Sequence, residues 1–106
     1  SEWQRGVLDL CVLHILADGP TYGYSIAARL TDAGFADVKG GTLYPLLKRL
    51  EGAGLVDIEW RPGEAGPGRK FYLINTAGRQ RLMALTASWQ RYSTTVTRLL
   101  DEGSPS

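Results

Sequence analysis

A chain of 106 residues that is 43% hydrophobic and 22% charged has the makeup of one globular domain, which excludes disordered and collagen-like classes. The net charge of +1 hides an uneven spread: residues 1–38 carry two basic and five acidic groups, residues 39–81 eight and four, and the rest two of each. The longest apolar run, Val7 to Ala17, is broken by Asp9 and His14 and is too short to span a bilayer; no secretory leader is legible, and one cysteine excludes an internal disulfide, so a cytoplasmic setting without a membrane partner is expected.

A first helix is predicted from about Gln4 to Ala17, closed by the turn Asp18-Gly19-Pro20. Val7, Leu8, Leu10, Cys11, Val12, Leu13, Ile15 and Leu16 go nearly all round it, the pattern of a helix buried on more than one side. A second helix is expected to start after Thr21 as N-cap, to carry Ile26, Ala27 and Leu30 inward, and to end near Ala33-Gly34.

The third helix lies in Gly40-Gly41-Thr42-Leu43-Tyr44-Pro45-Leu46-Leu47-Lys48-Arg49-Leu50-Glu51-Gly52. Leu43, Leu46, Leu47 and Leu50 keep the i, i+3, i+4, i+7 spacing of a core face. Its outer face is smooth and basic: Gly41, Pro45, Lys48 and Gly52 point out, with Thr42, Tyr44 and Arg49 beside them. Pro45 suits a first helical turn.

The period then changes to two. Val56, Ile58 and Trp60 alternate with Asp57, Glu59 and Arg61 as a half-buried strand; Pro62 to Gly68 is turn chemistry, and Lys70 to Ile74 returns as a second strand. Asn75 caps a last helix whose Leu82, Leu85, Trp89, Tyr92, Val96 and Leu99 are spaced as a heptad-type seam. The expected fold class is mainly α with a small β-hairpin, a winged helix-turn-helix followed by a long C-terminal helix. Residues 1–75 form the winged domain, 76–102 a dimerisation helix whose seam meets a second copy of the chain, and 103–106 a disordered tail.

In a helix-turn-helix the second helix of the pair enters the DNA major groove, and glycines permit a close approach. Lys48 and Arg49 suit phosphates or guanine edges, Tyr44 a phosphate, and Thr42 a base or the backbone. Arg61, Arg69 and Lys70 flank the wing, placed for a neighbouring backbone or the minor groove. The bland alternative is a solvated basic helix beside an ordinary hairpin.

The motifs Tyr22-Gly23-Tyr24-Ser25-Ile26, Gly41-Thr42-Leu43-Tyr44-Pro45 with Leu47 and Arg49-Leu50-Glu51, Gly54-Leu55, and Gly68-Arg69-Lys70 with Tyr72 and Gly78 follow in order. In them the chain resembles the PadR family of transcriptional regulators from roughly residue 6 to 82. The resemblance implies a dimeric repressor on an inverted-repeat, double-stranded DNA operator, often of ATGT…ACAT type. It implies DNA-facing roles for Tyr22, Thr42, Tyr44, Lys48, Arg69 and Lys70. It also implies membership of the short branch with one C-terminal helix, some of whose members bind flat hydrophobic drugs between subunits. Glu64 in the wing is an unhelpful charge for DNA.

A ligand site is expected at Trp89, between Leu85 and Tyr92, where two indoles facing across a dimer axis make a slot for a small aromatic compound; the competing reading is that Trp89 fills the interface. Cys11 reads as a small core hydrophobe, and His14 lacks a ligand-spaced partner. Asp57 and Glu59 read as solvated, with no nucleophile elbow or phosphate-cradling loop, so neither an enzyme nor a metal or other cofactor is expected. Two readings from other classes stay open: a winged-helix protein–protein module that never touches DNA, and a dimerisation domain cut from a methyltransferase-type enzyme. The tail Asp101 to Ser106 reads as a frayed end, which weighs against the latter.

Overall fold

Helix α1 (Glu2–Ala17), strand β1 (Thr21–Tyr22), helices α2 (Gly23–Asp32) and α3 (Gly40–Gly52), strands β2 (Val56–Arg61) and β3 (Arg69–Ile74), and helix α4 (Thr76–Glu102) follow in that order in a computed structural model. It describes residues 2–36, 38–63, 66 and 68–102, with side chains from Val7 onward. The expected tail at 103–106 and the wing residue Glu64 lie outside the described residues.

The apolar periodicities close on one core. Leu8, Val12, Leu13 and Leu16 of α1 meet Ile26 and Leu30 of α2, the four leucines of α3, then Val38, Leu55, Val56 and Tyr72. No polar or charged side chain is buried among the described residues. The expected class, a winged helix-turn-helix with a long last helix, is the one observed.

The sheet departs from expectation. Among the described residues it has three antiparallel strands in the order β1-β3-β2, not a two-stranded hairpin. Thr21, expected as the N-cap of α2, pairs with Tyr72, and Tyr22 pairs with Phe71. The N-cap is therefore Tyr22, whose extended backbone (φ −119°, ψ 167°) finishes the strand and starts the helix, with no side-chain capping hydrogen bond. A strand of two residues has no periodicity to read.

Pro45 also sits deeper than expected, because α3 already starts at Gly40. A proline there has no N–H for the carbonyl of Gly41 and crowds it. The strand face that begins with buried Val56 and half-buried Ile58 ends in a Trp60 that is 68% exposed, since the hairpin outruns the helices beneath it.

After α3, Gly54 takes φ +73°, the left-handed turn that releases the chain into β2. Asn75 then locks that turn to the last helix. Its Oδ1 accepts from the Gly78 N–H at 2.8 Å, and its Nδ2 donates to the Gly54 carbonyl at 2.9 Å. The cap expected at Asn75 is in place.

Helix α4 starts on α1 and β3 and then leaves the domain. Leu82 and Leu85 pack on the core. From Ala87 to Glu102 every residue but Ser93 and Val96 is exposed. This projecting rod stretches the molecule to 61 Å, against 28 and 20 Å across.

Candidate nucleic-acid interface

Four fully buried leucines set the roll of α3, so its opposite side faces solvent. Gly41, Thr42, Tyr44, Pro45, Lys48 and Gly52 are all exposed there. Among the described residues Lys48 has no carboxylate partner. The face therefore offers an aromatic hydroxyl, a small hydroxyl and a free ammonium, over backbone that nothing bulky shields.

Tyr44 is 53% exposed, yet its ring is seated. A β-carbon on Gly23 would lie within 3 Å of it, and one on Gly40 at 3.4 Å. Tyr44 thus reaches from α3 to the start of α2. It borders a cavity of about 450 Å³ lined by Tyr22, Gly23, Tyr24, Tyr44, Arg69, Lys70 and Tyr72. Two helices and the wing meet at this cavity, where the rings of four tyrosines are joined by two cations, Arg69 and the Glu51-paired Lys70.

The remaining cations are held in different ways. Arg49 turns away from the α3 outer face and forms an ion pair with Asp9 of α1. Lys70 donates to Glu51 at 3.2 Å and lies 5.4 Å from the Tyr72 ring centre. Desolvation lowers the Lys70 pKa, but the hydrogen bond it donates to Glu51 and the fields of Tyr72 and Glu51 outweigh it, leaving the ammonium above its ordinary value. Burial chiefly raises the Tyr72 phenol. Arg61 donates to Glu59 at 2.7 Å and lies 4.3 Å over Phe71, while Arg69 lies 4.6 Å over Tyr22. The structure thus gathers Tyr22, Tyr44, Arg69 and Lys70 at one cavity, with Thr42 and Lys48 along α3; Arg49 and Arg61 are occupied by their own acids.

The seam of α4 is divided. Leu82 and Leu85 face their own core, whereas Trp89 and Tyr92 are about half exposed and Leu99 is 67% exposed. Leu100, 70% exposed, lies eleven residues from Trp89, about three turns, and so shares its stripe. Sequence reasoning missed Leu100, although its spacing from Val96 carries the signal. It also missed Gly23 and Phe71, whose roles depend on residues far away in the chain.

A second depression, of about 320 Å³ and mostly apolar, lies between α1, α2 and Thr86 of α4 and includes Leu10, Cys11, Ile15 and Phe35. Burial raises the Cys11 thiol above its ordinary pKa. No three His, Cys, Asp or Glu side chains gather as a metal site among the described residues. No helix among them is long and apolar enough to cross a membrane.

Comparison with known proteins agrees with this geometry. The family model described as "Transcriptional regulator PadR-like family" matches residues 12–84. Transcriptional regulator Rv3488 of Mycobacterium tuberculosis (strain ATCC 25618 / H37Rv) is 40% identical over 81 residues, covering 76% of this chain and 74% of that protein. The crystal structure of a PadR-like transcriptional regulator from Bacillus cereus strain ATCC 14579 superposes with a TM-score of 0.86 at 37% identity, covering 94% of this chain and 97% of that one. A PadR family transcriptional regulator from Eggerthella lenta gives 0.83 at 37%, covering 93% and 86%.

Proposed function

We propose, from the premise that the chain belongs to the PadR-like family of transcriptional regulators, that it is a homodimeric repressor seated on an inverted-repeat operator. Regulation of transcription through DNA comes with the family. The observation that carries the finer reading is the α3 outer face: it is exposed from Gly41 to Gly52, free of acids but for the Glu51 tied to Lys70, and bordered by Tyr44 and Lys48. In the major groove Thr42 and Lys48 meet base edges or phosphates, and Tyr44 with Lys70 and Arg69 meets the flanking backbone. Tyr22 borders the same contact. Arg49 and Arg61 contribute charge from behind their acid partners.

Two copies pair through α4. The supporting observation is that Trp89, Tyr92, Val96, Leu99 and Leu100 form one stripe beyond the domain's own core. Burying such a stripe against a symmetric partner removes apolar area from water at roughly 25 cal/mol per Å². Two recognition helices then reach half-sites about one DNA turn apart, ~34 Å, or a multiple of it.

The same helix offers a regulatory site. Trp89 and Tyr92 line a slot between subunits for a planar aromatic compound, which stacks on the indoles, while Leu85, expected beside them, packs on the chain's own core. Release of the operator follows only if the compound prefers one spacing of the two recognition helices. Footprinting on the DNA upstream of the chain's own reading frame tests the whole reading. Two symmetric protected half-sites are expected, and uniform protection at all positions would remove the operator.

A further inference from the structure

The outer face of the wing carries an arrangement that exceeds a list of basic residues. Phe71 of β3 and Tyr22 of β1 are register partners and so project from the same side of the sheet. Their ring centres are 5.3 Å apart, tilted by 52°. Arg61 and Arg69 are also register partners on that side. Two like charges directly opposite each other repel. They part: Arg61 lies 4.3 Å over Phe71, braced by Glu59 at 2.7 Å, and Arg69 lies 4.6 Å over Tyr22. The result is a four-member stack in the order Arg61, Phe71, Tyr22, Arg69.

The two ends are not equivalent. Arg61 is neutralised in place, whereas Arg69 has no carboxylate partner among the described residues. It borders the cavity shared with Tyr44 and Lys70. A guanidinium laid across an aromatic face keeps its N–H edges free for a phosphate while losing few rotamers on contact. We propose that Tyr22 acts in DNA binding through its ring: propped by Phe71, it is the platform that holds Arg69 ready for one backbone phosphate. This deepens the DNA-binding reading and rests on it. Phe71 and Tyr22 are positioning residues, and Arg69 makes the contact.

The test is a salt titration of binding to a mixed-sequence DNA duplex by the full chain and by Arg69→Ala, Tyr22→Leu, Tyr22→Phe, Phe71→Leu and the double variant Tyr22→Leu/Arg69→Ala. Arg69→Ala is expected to reduce the slope of log K against log salt by about 0.9, one phosphate. Tyr22→Leu is expected to weaken binding about two- to fivefold, the scale of one exposed cation–π contact. Phe71→Leu acts in the same direction, and Tyr22→Phe, which keeps the ring, binds more tightly than Tyr22→Leu. In the Arg69→Ala background Tyr22→Leu adds nothing. A Tyr22→Leu effect undiminished in that background overturns the proposal, as does Tyr22→Phe falling to the level of Tyr22→Leu. A wild-type chain that ignores the duplex instead overturns the DNA reading itself. The Arg69 Nε–H resonance of the free protein separates the two failures: a ring-current shift that vanishes in Tyr22→Leu reports the stack without any DNA.

Discussion

Tyr44 lies across the backbone of Gly23, so closely that a β-carbon on that glycine would sit 2.7 Å from the phenol oxygen and 2.9 Å from two ring carbons. Helix α3 thereby places its aromatic residue against the first turn of α2. Any side chain at 23 must move the ring. Tyr44 is exposed enough to swing aside at little cost in stability. Gly23→Ala is therefore expected to leave the urea midpoint nearly unchanged while lowering DNA affinity about as much as Tyr44→Ala. Equal affinity for Gly23→Ala and wild type would show that the seated ring is not the binding form.

Arg49 and Lys48 are neighbours with opposite expectations. Arg49 is paired with Asp9, and Lys48 has no carboxylate partner among the described residues. Lys48→Ala is expected to reduce the salt slope of DNA binding by about one unit, the mark of a lost phosphate contact. Arg49→Ala is expected to change it less. A larger change for Arg49 would mean that the arginine leaves Asp9 when DNA arrives.

The joint between wing and last helix is expected to be sensitive. A β-carbon on Gly78 would lie 2.1 Å from the Leu55 carbonyl oxygen, which is backbone and cannot swing away. Gly78→Ala should cost about 2–3 kcal/mol, the upper range for overpacking. Asn75→Ala, which removes the cap, should cost about 1 kcal/mol. Urea unfolding at one fixed protein concentration checks both.

Dimerisation is expected to depend on the free end of α4 rather than on its root. Leu82 and Leu85 serve their own core, while Trp89 is about half exposed and Leu99 and Leu100 more so. Leu99→Asp should yield a folded monomer by sedimentation and lose most operator affinity, because the second half-site no longer adds through effective concentration. A stable dimer in Leu99→Asp would move the interface to the groove beside α1.

Much of this was legible in the sequence, and the misses have physical causes. The 3.6-residue period of α3 and the Asn75 cap are local signals, and the chain obeys them. Strand β1 is two residues long and is created by its pairing with β3, so no pattern near Thr21 announces it. The ion pair of Arg49 was not legible because its partner, Asp9, is forty positions away. The seam of α4 read as a single surface, since spacing alone cannot tell that its first two leucines meet α1 and the core within the same chain.

Cys11 offers a check on the packing of α1. Its thiol is half-buried and its pKa is raised by burial, so less thiolate forms at a given pH. Its folded pKa lies above the unfolded one, so the stability linked to this group is complete below the unfolded pKa and is lost as pH rises through the folded one. Alkylation by iodoacetamide should be slower than for a free thiol, with its pH profile displaced upward. A rate equal to that of a free thiol would contradict the burial.

The claim that α3 presents an assembled DNA-reading face is tested most directly by titrating one duplex, taken from upstream of the chain's own reading frame, with wild type, Lys48→Ala and Tyr44→Ala. Binding of two protomers per duplex that weakens steeply with salt, and that both substitutions reduce, is the expected result. Operator affinity unchanged in both variants would contradict it.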